Sequence, residues 1–335
     1  MSDNLTLGVD IGGTKVAAGL VDFRGQIVAR ARRPMVARRS AEEALNAVLR
    51  TIEAVRASEA ARAASLTGIG ISTPGYVEPV EGRVVRAANL PCWVDYPLAA
   101  KVAEATGLPV RVDNDGNAAA LAEAVWGAGA GYPSVFYVTL GTGIGTGLVI
   151  NRKVHHGRTG GAGEGGHVTI DFNGPRCACG KRGCIEMYAA GPAIALRAQA
   201  RLAPPRAKSG SRPRKRAASK SKMLELAEGH VHAVTAEIVG KAALDGDPVA
   251  VAVLQETLDL LAIWLGGIVD LLEPDVVVIG GGLASLMASF FGYLRTQLER
   301  WSINPRVHEM PIVSAMYGAV SGIAGAAALC LEPHG

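Results

Sequence analysis

Aromatic residues make up only 5% of the 335 residues, and the pattern G-x-x-x-x-G-K-[ST] is absent. The first shortage means that a core must come largely from Ala, Val, Leu and Ile, because 49% of the chain is hydrophobic. The second excludes a P-loop. Missing too is a basic segment with an apolar core ahead of VDIGGTK, so no signal peptide is expected. Charge is lacking over Ala124–Asn151, Val276–Leu294 and Met310–Leu331, each long enough to raise the question of a membrane span, and the last contains Gly318-x-x-x-Gly322. Glycine runs at Gly141–Gly147 and Gly280–Gly282 cut these stretches to strand length, and Pro133 and Pro311 interrupt their ends. A cytoplasmic soluble protein with no membrane partner is expected.

Acidic residues are missing between Arg197 and Lys222, where ten of the 34 Lys and Arg fall. Setting that segment aside turns the net charge of +4 into −6. The body is therefore mildly acidic, with one basic Ser/Pro/Ala-rich insert at 201–222. Low hydrophobicity and self-repulsion predict a mobile surface loop there. Nucleic acid could bind such a segment, but a solvated insertion is the expected reading.

What is present reads as two α/β-sized units. Residues 5–10, 16–21 and 27–33 form a β-meander through the turn Gly12-Gly13-Thr14. A helix is expected over 41–64, a strand over 67–72, a helix over 96–106, a short strand at 110–112 and a helix over 117–126. From Ser134 a second β series begins, and further helices are expected at 247–272 and 285–301 around the buried strand DVVVI. The segments DIGGTKVAAGLVD and TLGTGIGTGLVIN share one order of strand, Gly/Thr turn and strand. Such a pseudo-repeat suggests two similar lobes with a cleft between them.

Gly/Thr turns after buried strands can cradle phosphates, because glycine lets backbone N–H groups approach oxygens closely. Thr14, Thr142 and Lys15 would add side-chain donors. Each turn alone is as readily a structural hairpin; their repetition favours nucleotide phosphates. A formal G-x-G-x-x-G at Gly161, Gly163 and Gly166 is followed by strand-like HVTID instead of a helix, and is set aside. Asp10, ending the first strand, is placed either to hold Mg2+ or simply to start a turn. Asp113, Asn114 and Asp115 stand where a strand gives way to a helix, and one of the three should be the cap. Asp115 is the candidate base for a substrate hydroxyl.

Three of the five cysteines, Cys177, Cys179 and Cys184, lie within eight residues, with His167 ten residues before the first. One imidazole and three thiolates suit a tetrahedral structural zinc. The alternative, that these are ordinary small hydrophobes, is disfavoured by Gly180, Lys181, Arg182 and Gly183 among them. Glu164 and Glu186 flank the cluster, so a zinc there would stiffen a loop that presents carboxylates.

VDIGGTK, STPG, ANLPCW, VDNDGNAAALAE, LGTGIGTG, GEGGH, CACGKRGCIE and VVVIGGG occur in an order that resembles the ROK family of repressors and sugar kinases. The likeness runs from about residue 7 to 330 and implies an α/β, two-lobed actin-like (ribonuclease H-like) sugar kinase fold with an interlobe active-site cleft. It implies an N-terminal lobe over 1–115 with a helix at about 318–335 packed back on it. A C-terminal lobe over 116–317 would carry the zinc loop 164–186. Phosphate and nucleotide contacts would come from Asp10, Gly12, Gly13, Thr14, Lys15, Gly141, Thr142, Gly143, Gly145, Gly281 and Gly282. Asp115 would be the catalytic base, with His167, Cys177, Cys179 and Cys184 on the zinc. Sugar hydroxyls would meet Gly75, Asn89, Asn114, Asp115, Glu164, His167 and Glu186.

The resemblance thus implies phosphorylation of a hexose at its 6-hydroxyl by ATP with Mg2+, glucose first among the candidates. Kinases for N-acetylglucosamine, N-acetylmannosamine, mannose or fructose form the alternative, as does a sugar-responsive transcriptional regulator. The regulators carry a helix-turn-helix ahead of the kinase-like body, for which no counterpart is expected here. A homodimer or larger homo-oligomer is the expected assembly.

Overall fold

The computed structural model describes residues 4–35, 40–203 and 221–331. Most of the basic insert, residues 204–220, lies outside the described residues, so the expectation of a loop there falls beyond them. Its flanks are built in. Arg201 ends the helix Gly191–Leu202 and meets Glu256 at 2.6 Å, while Ser221 caps the helix Lys222–Leu226 and donates to Asp247 at 2.6 Å.

The strands are β1 Asn4–Ile11, β2 Lys15–Val21, β3 Ile27–Pro34, β4 Ser65–Thr73, β5 Tyr76–Glu78, β6 Arg83–Arg86, β7 Val94–Tyr96, β8 Val110–Asn114, β9 Ser134–Leu140, β10 Ile144–Ile150, β11 Lys153–Val154, β12 Val276–Gly280 and β13 Ile312–Ser314. Two five-stranded sheets result, in the orders β3-β2-β1-β4-β8 and β11-β10-β9-β12-β13. Each sheet is an antiparallel meander followed by two parallel strands. The internal repeat read from the two glycine turns is therefore a repeat of whole sheets. β5–β7 form a small third sheet.

Both faces of the first sheet are covered, which is why β1 and β4 are almost continuously buried instead of alternating. One face takes Ala44, Val48, Ile52 and Val55 of the helix Ala41–Arg56. The other takes the helix Ser321–Ala328, whose Ile323 and Ala327 pack on Val21. A side chain at Gly8 or Gly70 would meet the Ala327 backbone nitrogen at 3.0 or 3.3 Å, so glycine in these strands permits the close crossing.

The helix expected over 41–64 breaks at Ala57, because Ser58 caps a new turn by accepting from the Ala61 N–H at 3.3 Å. Pro97 holds Tyr96 extended in β7, so the next helix starts at Leu98. Asn114 caps the following helix, which starts at Asp115 and so ahead of the expected Asn117. The helix expected over 285–301 divides at a 3₁₀ turn, Ala288–Phe290.

Asp247 accepts from the Val249 and Ala250 N–H groups and Pro248 fixes the first turn, which starts the 25-residue helix Pro248–Leu272. Among the described residues this helix alone is long and apolar enough to cross a membrane, with mean hydropathy 1.6. Its Leu254, Leu258, Leu261 and Leu265 belong to the largest core cluster, beside Phe136, Val138 and Val277 of the second sheet. The three uncharged stretches of the sequence form strands, turns and short helices, the longest apolar one being Gly318–Leu331.

Candidate active site

Asp10 in β1, Ser72 in β4 and Asp113 in β8 occupy one register row near the carboxyl ends of three parallel strands. Open α/β sheets bind ligands at that end. Ser72 Oγ donates to Asp10 Oδ1 at 3.1 Å, and Oδ2 has no hydrogen-bond partner among the described residues. Burial pushes the Asp10 carboxyl up, against the lowering effects of Ser72 and Lys15. A half-buried carboxylate this poorly compensated suits a cation.

Asp113 is 2% exposed and its carboxylate is fully committed. Oδ1 accepts from the Asn114 N–H at 2.7 Å and Asn117 Nδ2 at 3.1 Å, while Oδ2 meets His156 Nε2 at 2.6 Å. The cap is Asn114, whose Oδ1 accepts from the Gly116 N–H at 2.8 Å while its Nδ2 donates to Gly75 O at 2.9 Å. One amide hydrogen of Asn114 remains for a ligand.

Asp115 opens the helix and is exposed to solvent, but protein crowds it from several sides. That crowding weakens hydration of the carboxylate and, with the negative charges of Asp10 and Glu164 nearby, pushes its pKa up to about 6; the Gly116 N–H at 2.9 Å on Oδ1 pulls the other way. Oδ2 has no partner among the described residues. Near neutral pH Asp115 is an ionised, open carboxylate with a pKa close to that of a working general base.

The first glycine turn closes on itself through Gly12 N–H to Lys15 O at 2.8 Å. Asn89 lies directly over it, since a Cβ on Gly13 would meet Asn89 O at 2.9 Å. Thr14 is exposed and Lys15 half-buried. In the second turn the Gly141 N–H donates to Gly143 O at 3.1 Å, and Thr142 is exposed at its tip. Gly281 (φ +89°) fits against the end of β9, where a Cβ would lie 2.6 Å from Thr139 Oγ1 and 2.7 Å from the Leu140 nitrogen, while Gly282 faces open space. The sequence-predicted nucleotide residues of the second half thus gather at the ends of β9 and β12. Gly145 lies beyond the turn within β10, paired with Thr139.

Glu164 is exposed and its carboxylate has no partner among the described residues. His167 ends the 3₁₀ turn Gly165–His167. Glu186 is less free than expected, because Oε2 accepts from the Ile144 N–H at 3.0 Å and Oε1 lies 3.9 Å from Cys177 Sγ. It ties the zinc loop to the second glycine turn and offers one oxygen to a ligand.

His167 Nδ1 lies 3.5 Å from Cys177 Sγ, and Cys179 Sγ lies 3.6 Å from Cys184 Sγ. All four candidate ligand atoms fall within 4.8 Å of one another. Tetrahedral zinc with bonds of about 2.3 Å would set its sulfurs roughly 3.8 Å apart, so the donor set and its spacing fit the metal. A short ladder, Arg176 opposite Arg182 and Thr169 opposite Cys184, brings the ends of the loop together. Because Nδ1 faces the sulfurs, Nε2 is the His167 nitrogen left for another partner.

Sequence reasoning did not single out Ser72, His156 or Thr146. Each is a polar group whose partner is more than fifteen residues away, so no local spacing marks it.

Residues 6–332 match the ROK family. A glucokinase of Streptomyces coelicolor is 35% identical over 98% of this chain and 98% of its own length. An N-acetyl-D-glucosamine kinase of Pasteurella multocida is 31% identical over 97% of this chain and 99% of its own. The crystal structure of a ROK family glucokinase from Streptomyces griseus, in complex with glucose and AMPPNP, superposes with a TM-score of 0.79 at 34% identity, covering 97% of this chain and 98% of that one. The two repeated sheets are the two lobes of an actin-like sugar kinase, and with a match of this extent the chain belongs to the ROK family.

Proposed function

We propose that the protein is an ATP-dependent glucokinase that transfers the γ-phosphoryl group to the 6-hydroxyl of glucose. The observation that carries this reading is Asp115: an open carboxylate with a pKa raised to about 6, within reach of the charges of Asp10 and Glu164. Asp115 Oδ2 takes the hydroxyl proton as the oxygen attacks phosphorus. Asn114 and Glu164 hold ring hydroxyls, His167 donates from Nε2, and Glu186 accepts with its remaining oxygen. Gly75 and Asn89 line the same end of the first lobe, over 1–115.

With the Gly12 and Gly141 N–H groups closing their own turns, the N–H groups of Gly13, Thr14, Thr142 and Gly143 would meet the phosphates, with Lys15 beside them, and Gly281 and Gly282 would leave room for the adenosine. Bound Mg2+ would neutralise charge on the transferring phosphoryl group, and Asp10 would hold it directly or through water. Zinc held by His167, Cys177, Cys179 and Cys184 would be structural, fixing the histidine tautomer. The helix at the end of the chain, Ser321–Ala328, belongs by its packing with the first lobe. A cytoplasmic homo-oligomer completes the reading.

Release of ADP measured across a panel of hexoses tests it. Glucose is expected to give the highest kcat/KM, with N-acetylglucosamine, N-acetylmannosamine, mannose and fructose each lower by about tenfold or more, as one lost or blocked polar contact would cost. A higher value for N-acetylglucosamine would replace the substrate and keep the reaction.

A further inference from the structure

We propose that Thr146, a strand residue away from any reacting atom, is a positioning residue that sets Glu164 for sugar recognition. This rests on the reading of Glu164 as acceptor for a sugar hydroxyl.

Thr146 lies in β10 opposite Val138 and is 3% exposed. Its single hydroxyl works in both directions. Oγ1 donates to the carbonyl of Gly163 and accepts from the N–H of Gly165 at 2.8 Å, so it clamps the backbone on either side of Glu164. Trp264 adds a third tie, its Nε1 donating to Gly165 O at 3.0 Å. Glu164 itself has one further backbone tie among the described residues, its carbonyl accepting from the His167 N–H at 3.1 Å at the start of the 3₁₀ turn. The Glu164 side chain has no partner among the described residues, and its backbone (φ −80°, ψ 43°) belongs to no regular element. Gly163 before it has φ +90°. A segment with so little conformational preference takes its geometry from outside contacts, and three of these come from two buried side chains.

Gly165 is part of the device. A Cβ there would stand 2.7 Å from Thr146 Oγ1 and 3.3 Å from Trp264 Cζ2, so glycine leaves the space that lets the clamp close. The second carboxylate is hung from the same strand end, since the Ile144 N–H holds Glu186 at 3.0 Å. The start of β10, just after the second glycine turn, is thus the common mount of both acidic residues.

Thr146→Val keeps the shape and removes both hydrogen bonds. Its KM for glucose is expected to rise about tenfold, with KM for ATP within about twofold and kcat within about threefold of wild type, as lost ground-state positioning requires. Thr146→Ser, which restores the hydroxyl, is expected within about twofold of wild type on every parameter. In a Glu164→Gln background Thr146→Val should add less than about twofold, since the two act through one contact. A glucose KM within twofold of wild type in Thr146→Val, or an undiminished tenfold effect on top of Glu164→Gln, would overturn the proposal. Glu164→Gln alone with an unchanged glucose KM would instead overturn the role of Glu164, and this proposal with it. Should Thr146→Val not fold, Trp264→Phe removes the indole donor, with some loss of packing, and keeps an aromatic ring; about a threefold rise in glucose KM alone is expected there, and no rise overturns the proposal.

Discussion

Asp115→Asn is expected to lower kcat by about 10²–10⁴ with little change in glucose affinity. The amide keeps the shape of the carboxylate and its contact with the Gly116 N–H, but it cannot take a proton. Stability should not suffer. The ionised side chain is crowded and lies near the charges of Asp10 and Glu164, which is why its pKa is raised to about 6. A raised folded-state pKa means that the fold favours the protonated form, so stability falls as pH rises through that value. Neutral asparagine removes this cost, and the melting temperature at pH 7 should be equal to that of wild type or higher.

Asp113→Asn is the contrast. Asp113 is buried and its two oxygens serve Asn114, Asn117 and His156, so its replacement should cost about 1–3 kcal/mol of stability while kcat stays far above that of Asp115→Asn. Exchange of the two results, with Asp113→Asn inactive and Asp115→Asn near wild type, would show the base to be misassigned.

The second large effect belongs to the metal. Freshly purified protein should carry one zinc per chain, and Cys179→Ala should lose it. Cys179 suits this test because it is exposed, whereas Cys177 and Cys184 are buried and their removal would also cost packing. Without the metal His167 Nδ1 loses its anchor and the loop ahead of Glu186 keeps only its short backbone ladder, while Glu186 is the link to the Ile144 N–H. The expected outcome is a glucose KM higher by about 10–100-fold, the usual cost of losing metal-site order, and easier proteolysis within residues 171–186. Elemental analysis finding no zinc in the native protein would end the metal hypothesis.

Much of the fold was legible because local signals and tertiary structure agree. Short apolar runs bounded by turn glycines placed β1, β2, β9 and β10, and the likeness between the two glycine turns pointed to two similar lobes, which are two sheets of the same order. Helix boundaries were less legible where capping decides them: Ser58 restarts a helix that Ala-rich periodicity would continue, and Asn114 starts one two residues early. The zinc ligands could be read because they lie close together in sequence. The supports of the site could not. Ser72 reaches Asp10 across a strand pair, His156 reaches Asp113 from a segment forty-three residues later, and Thr146 reaches the segment around Glu164 from β10. Glu186 was legible as an acid beside the cluster, while its bond to the second glycine turn was not.

The pH dependence of kcat/KM for glucose, in wild type and in Asp115→Asn, tests the central claim most directly. A general base must be ionised to work, so the wild-type profile should rise with pH and level off above an apparent pKa of about 6. The residual activity of Asp115→Asn should lack that limb. A limb near 6 that persists unchanged in Asp115→Asn would place the base elsewhere and contradict the account.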